Sequence, residues 1–300
     1  MRWKDGASQL PDHGTHACPP GHSELPGQVV PMNLHAPEWI VLAYFVYLAT
    51  AAIAVPLSSH RRRRVVGTAV LCVVVVGGLE RFGESGPAEI LRDWVPLAYL
   101  LVAYWLPASF VTAPNEALER SLLALDDRWL GRERLATFAA RAPRLLLELL
   151  ELAYLFCYPL VPVGLACLYF AGLREEADQF WTAVLLAAFL AYGALPWFPT
   201  RPPRTTDDTR VQVRSRLRNL NLKLLGRASI QLNTFPSGHA AAAVATALAV
   251  GVRLPLAGLL LGLIALGILG SSVLGRYHYA ADTLSGAVLA LVGFAVSRWV

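Results

Sequence analysis

The stretch that decides the fold is residues 238–270, GHAAAAVATALAVGVRLPLAGLLLGLIALGILG, in which Arg253 is the single charged side chain at neutral pH. The apolar residues run on continuously and do not alternate. A strand of a membrane barrel would alternate with a period of two. Bilayer lipid offers the backbone no hydrogen-bond partner, so a continuous apolar run of this kind reads as helix. The turn at Arg253–Pro255 divides the stretch into two runs, 238–252 and 255–271.

Working outward, the same pattern recurs. Apolar runs occupy about 38–57, 65–79, 94–113, 145–172, 180–198 and 283–297. Hydrophobic residues make up 55% of the 300 residues and charged residues 16%, against about 25% charged in a soluble domain. Mean hydropathy is +0.47. Intrinsic disorder is excluded, and the composition argues against an ordinary soluble enzyme. The expected fold is all-α, a polytopic membrane helix bundle with about eight transmembrane helices. Residues 1–37 read as a flexible polar tail and 38–113 as N-terminal membrane helices. Residues 114–144 mix charge with Leu118, Leu122, Leu125 and Trp129 at helical spacing, the pattern of an amphipathic interfacial helix.

The net charge of +5 lies in the segments between runs. If eight spans alternate, 19 Lys and Arg fall on the side holding 58–64, 114–144, 199–236 and 272–281, and 7 on the other. Positive charge marks the cytoplasmic side. Membrane lipids, not nucleic acid, are the partners this distribution implies. Cys72, Cys157 and Cys167 lie inside apolar runs and Cys18 stands alone, which is no disulfide framework. The tail's His13, His16, Cys18 and His22 match no defined metal spacing, and no carboxylate cluster suits magnesium.

Three elements carry chemistry. His239 ends Pro236-Ser237-Gly238-His239, at the start of an alanine-rich helix. Such a helix end presents unpaired N–H groups and a positive dipole, which suit phosphate. Gly238 would let an anion approach the backbone. His278 precedes Asp282 by four residues, so on a helix both share a face. A carboxylate on one imidazole nitrogen orients the ring and makes the other nitrogen the better nucleophile. Arg276 adds positive charge nearby. Pro199-Thr200-Arg201-Pro202-Pro203-Arg204 presents two arginines where prolines stop a helix. Their guanidinium forks match phosphate oxygens.

In order and spacing these three blocks resemble the signature of the type 2 phosphatidic acid phosphatase (PAP2) superfamily, over about residues 190–295. Pro236-Ser237-Gly238-His239 is similar to the central block, His278-x-x-x-Asp282 with Leu284-Ser285-Gly286 to the third, and Arg201-Pro202 to the first. The resemblance implies a PAP2-like catalytic bundle over 145–300. It implies His278 as the nucleophile that forms a phosphohistidine, Asp282 as its orienting carboxylate, and His239 as the acid that protonates the leaving oxygen. Arg201, Arg204, Arg276, Ser237 and Gly238 would bind phosphate oxygens, with no metal and no cofactor. The expected activity is a metal-independent phosphatase on lipid phosphates, of the phosphatidic acid or polyprenyl diphosphate type. The alternatives are a lipid head-group phosphotransferase and a non-catalytic lipid-binding or transport relative. Two positions depart from the pattern. Ala194 stands where the first block has lysine, and Ser272 where the third has arginine. Phe-Pro-x-x-Pro-Pro-Arg and Arg-Tyr-His-Tyr look like the inositolphosphoryl-ceramide synthase-type branch. Many membrane members work on the extracytoplasmic face, whereas the charge count here places the site in the cytoplasm.

Overall fold

The computed structural model describes residues 34–81, 86–111, 113–206, 213, 215–230, 232 and 235–300. The expected tail, 1–37, lies outside them except for its last four residues. Regular structure among the described residues is entirely helical. The helices are α1 (Ala36–Ala54), α2 (Ser59–Arg81), α3 (Gly86–Trp94), α4 (Pro96–Trp105), α5 (Glu116–Trp129), α6 (Arg132–Arg141), α7 (Arg144–Leu155) and α8 (Leu160–Phe170). They continue with α9 (Ala177–Gly193), α10 (Pro203–Thr206), α11 (Arg216–Ala228), α12 (Gly238–Arg253), α13 (Pro255–Leu274) and α14 (Ala280–Ser297).

Contacts at the helix ends set the directions. His35, at the start of α1, meets Asp178 at the start of α9 at 2.6 Å. Further along, Tyr47 donates to the Gly193 carbonyl at the end of α9, 2.6 Å. These two helices are therefore parallel. So is α4, whose flanking Asp93 carbonyl accepts from Trp181 Nε1, while Tyr104 packs on Tyr192. Arg253, closing α12, reaches Glu176 ahead of α9, and Gln179 donates to the Ser297 carbonyl in α14. Both α12 and α14 thus run against α9.

The bundle has two polar ends. One carries the ion pairs Arg92–Glu38, Arg174–Asp93 and Arg174–Glu89. The other carries α5, α6, α10, α11 and both histidines of interest. α9 lies inside, with twelve of its 17 residues buried. Leu259, Leu263 and Leu266 of α13 and Val70, Leu71 and Val74 of α2 face outward and are exposed. Apolar side chains turned outward along helices that span between polar ends suit a lipid surround.

Among the described residues three helices, α1, α13 and α14, are long and apolar enough to cross a membrane. The pair α7 and α8 makes a fourth if a 74° bend is allowed within one span. The eight apolar runs of the sequence reappear as α1, α2, α4 with its short 3-10 extension, α7–α8, α9, α12, α13 and α14. Some are short: α12 has 16 residues, about 24 Å at 1.5 Å per residue against a hydrocarbon core of about 30 Å.

Two sequence readings are corrected. The run 145–172 is not one continuous helix. Pro159 has no N–H and its ring collides with the carbonyl four residues back, so the helix breaks between Leu155 and Leu160. The amphipathic segment 114–144 is two helices, separated at Gly131, whose φ is +72°. Asp127 caps the restart: it accepts the Arg132 N–H at 3.2 Å and pairs with its guanidinium. These bonds hold the Asp127 carboxyl below the usual range.

Candidate active site

The N-terminus of α12 and the N-terminus of α14 meet. Ser237 is the N-cap of α12, its Oγ accepting from the Ala240 N–H at 3.3 Å. The Ser237 N–H donates to the Asp282 carbonyl at 3.0 Å, tying the two helices together. The approach is so close that a Cβ on Gly286 would lie 2.2 Å from the Ser237 carbonyl oxygen. A Cβ on Gly238 would lie 2.1 Å from the Tyr192 ring. The absent side chain at Gly238 makes room for that tyrosine. With its N–H donating to Asp282 and its hydroxyl accepting from Ala240, Ser237 ties the start of α12 to the start of α14.

His278 stands on the turn between α13 and α14. Its N–H and that of Tyr277 both donate to the Ser272 carbonyl, at 3.0 and 2.9 Å. The end of α13 thereby fixes the turn. Nδ1 of His278 faces Oδ2 of Asp282 at 3.3 Å, and both side chains are buried. The imidazole of His239 lies across from it, ring centroids 5.9 Å apart and planes at 81°. A cavity of about 20 Å³ separates the elements. It is lined by His239, His278, Arg204, Tyr104, Tyr154 and Tyr277, among others. That is room for about one water.

The three arginines take different places. Arg204, on α10, lines the cavity, its guanidinium 5.7 Å from the centre of the Tyr277 ring. Burial pushes this guanidinium down from its ordinary value, a cost that an anion in the cavity would offset. Its backbone N–H donates to the Arg276 carbonyl. Arg201 is paired with Glu119 of α5, Nη2 to Oε2 at 2.7 Å, and the Arg201 N–H donates to the same carboxylate. Arg276, at φ +57°, is buried and paired with Asp126 of α5 at 2.8 Å. Asp126 also accepts the Ala280 N–H at the start of α14. The structure therefore brings His278, Asp282, His239 and Arg204 together. Arg201 and Arg276 do not line the cavity and serve as anchors for α5. Arg276 lies in the turn that follows the end of α13 at Leu274, not a helical turn beyond Ser272.

Several site residues escaped the sequence. Glu151 is buried and takes bonds from Arg218, Asn221 and Tyr277. Arg218 belongs to this network, its guanidinium 3.1 Å from Glu151 and 5.3 Å from the centre of the Tyr277 ring. The bend after α7 sets Tyr154 and Tyr158 each 6.1 Å from His239. The one signal available for Glu119 and Asp126 was their spacing of seven, which puts both on one helix face.

A helical membrane bundle whose paired histidines, carboxylate and arginine meet at helix ends is built as a phosphoryl-handling protein would be. The family model described as PAP2 superfamily matches residues 120–296. The chain belongs to the PAP2 superfamily, whose activities are generally those of phosphatases or phosphotransferases. The match begins inside α5, so α1 to α4 lie ahead of it. No curated protein and no solved structure matches the chain.

Proposed function

We propose that this protein is a metal-independent membrane phosphatase acting on lipid phosphate monoesters or diphosphates, of the phosphatidic acid or polyprenyl diphosphate type. The observation that carries the reading is His278 held by Asp282 through Nδ1, with His239 and Arg204 on the same cavity. The second nitrogen of His278, Nε2, attacks phosphorus. The N–P bond forms as the bond to the leaving oxygen breaks, and His239 gives that oxygen a proton. Water then attacks the phosphohistidine. His239 takes the water proton, the N–P bond breaks and inorganic phosphate leaves. Arg204 and the positive end of α12 offset charge on the equatorial oxygens. Exposed Trp197 and Phe198 beside the Arg201–Arg204 segment support a substrate whose tail stays in lipid.

The site faces the cytoplasm in this proposal, on the strength of the 19 basic residues at that end. Labelling of a cysteine at Thr206 from one side of sealed vesicles tests it. Phosphate release by the purified protein from a lipid-phosphate panel, with EDTA present, tests the activity. Release that vanishes in His278→Ala supports the mechanism, and substantial release by that variant overturns it. Transfer to an alcohol without release to water assigns the head-group phosphotransferase instead.

A further inference from the structure

Tyr104 lies on α4, ahead of the region that matches the superfamily. It nevertheless lines the cavity with His239, His278 and Arg204. Its ring lies 6.1 Å from that of His239, the planes only 26° apart. On its other flank it meets Tyr192 edge-on at 5.5 Å, the same ring that fills the space beside Gly238. Its hydroxyl is held as well: it shares a hydrogen bond with Ser229 Oγ at 2.9 Å and accepts the Ile230 N–H at 3.2 Å. The neighbouring Trp105 donates Nε1 to the carbonyl of Ala228, the last residue of α11, at 2.8 Å. The end of α4 is thus bonded to the end of α11 and the residues just after it, Ser229 and Ile230.

We propose that Tyr104 is a positioning residue for His239, through which the helices ahead of the matched region complete the site. The inference rests on the proposed activity for its kinetic consequence alone. The ring fixes one face of the imidazole, and the hydroxyl fixes the ring. His239 acts on the leaving oxygen and on water, so a loosened imidazole slows the chemical step. Lipid binding, which depends on Arg204 and the bilayer, is left in place. Packing alone would predict something else: loss of folded protein with unchanged kinetics per folded molecule.

Three proteins in detergent make the test: wild type, Tyr104→Leu and Tyr104→Phe. General acid–base groups contribute about 10²–10⁴-fold, so a misaimed His239 in Tyr104→Leu should lower kcat by about tenfold or more. KM should stay within about twofold, and the pH profile of kcat should change shape. Tyr104→Phe keeps the ring and should recover at least half of the loss on a logarithmic scale. Imidazole ¹⁵N spectra, assigned with His239→Gln, report the same ring without turnover. The His239 signals should move in Tyr104→Leu and return most of the way in Tyr104→Phe. Unmoved His239 signals in Tyr104→Leu overturn the inference, as does a kcat equal to wild type or a Phe variant as impaired as Leu. Wild type without turnover overturns the phosphatase reading instead, and the spectra then decide the inference alone.

Discussion

Gly286→Ala tests the contact on which the site is built. Gly286 follows Asp282 by four residues on α14, so both project from one face. A Cβ there would lie 2.2 Å from the Ser237 carbonyl oxygen and 3.0 Å from the Ala240 Cβ. The carbonyl has no room to turn away, because it already accepts the Ala241 N–H at 3.0 Å as the first helical bond of α12. The collision is thus with fixed backbone, and relieving it takes a separation of about 1 Å between α12 and α14. Forced overpacking of this kind costs about 1–3 kcal/mol, or about 2–4 °C of melting midpoint per kcal/mol. The displacement also moves Asp282 and His278 away from His239. A 1 Å misplacement of reacting groups costs about 10²-fold in turnover. Gly262→Ala is the matched control, since its nearest neighbour would be the Ala247 Cβ at 4.0 Å. Melting in detergent and lipid-phosphate turnover are measured for both variants. A Gly286→Ala protein that melts with wild type and with Gly262→Ala would refute the close crossing of α12 and α14.

Asp282→Asn should keep the fold and lower turnover by about 10³-fold or more, because an amide no longer fixes the His278 tautomer; turnover within tenfold of wild type would remove Asp282 from the mechanism. Arg204→Gln should raise KM by about 10–100-fold, the equivalent of one charged hydrogen bond of about 1.5–3 kcal/mol, with Arg204→Lys between it and wild type in a steady-state titration. Asp127, with its carboxyl held below the usual range by the Arg132 N–H and guanidinium, stabilises the α5–α6 junction above the unfolded carboxyl pKa of about 3.9. That contribution disappears as pH falls through the lower folded value. Amide exchange at Arg132, corrected for intrinsic rate, should therefore be flat from pH 5 to 8 and rise at lower pH, and an Asp127→Asn protein should lose the step.

The apolar runs were legible because a bilayer imposes one rule on every span: the backbone must bond to itself. That rule acts on sequence locally, and so the positions of α1, α9, α12, α13 and α14 followed from composition. The break in α7–α8 was local too, written in Pro159, but a long apolar run outweighed it in the reading. The meeting of His239 with His278 and Asp282 depended on block order and on helix ends, both visible in sequence. The partners of the charges were not. Glu151 with Arg218, and Glu119 with Arg201, are separated by 67 and 82 residues. No periodicity connects residues on different helices. A carboxylate near a span start looks interfacial until a second helix is seen to cover it.

Those partners distinguish the three arginines. Arg276 and Asp126 are both almost fully buried, with side-chain exposures of 4% and 1%. Removing one member of such a pair leaves an uncompensated buried charge at a cost of about 3–5 kcal/mol. A phosphate drawing Arg276 away would have to supply that, and would also loosen the Asp126 cap on α14, which carries Asp282. Arg201 is more exposed, yet it is fastened to Glu119 by both its guanidinium and its backbone N–H. Arg204 is placed differently. Its guanidinium already lies on the cavity wall against Tyr277, lowered by burial, and an entering anion restores what burial took. Three arginines of similar appearance in the sequence thus divide into two that pair with acids of α5 and one that lines the cavity. The division follows from where the acids of α5 fall, a turn-by-turn property of a helix that carries no catalytic group itself.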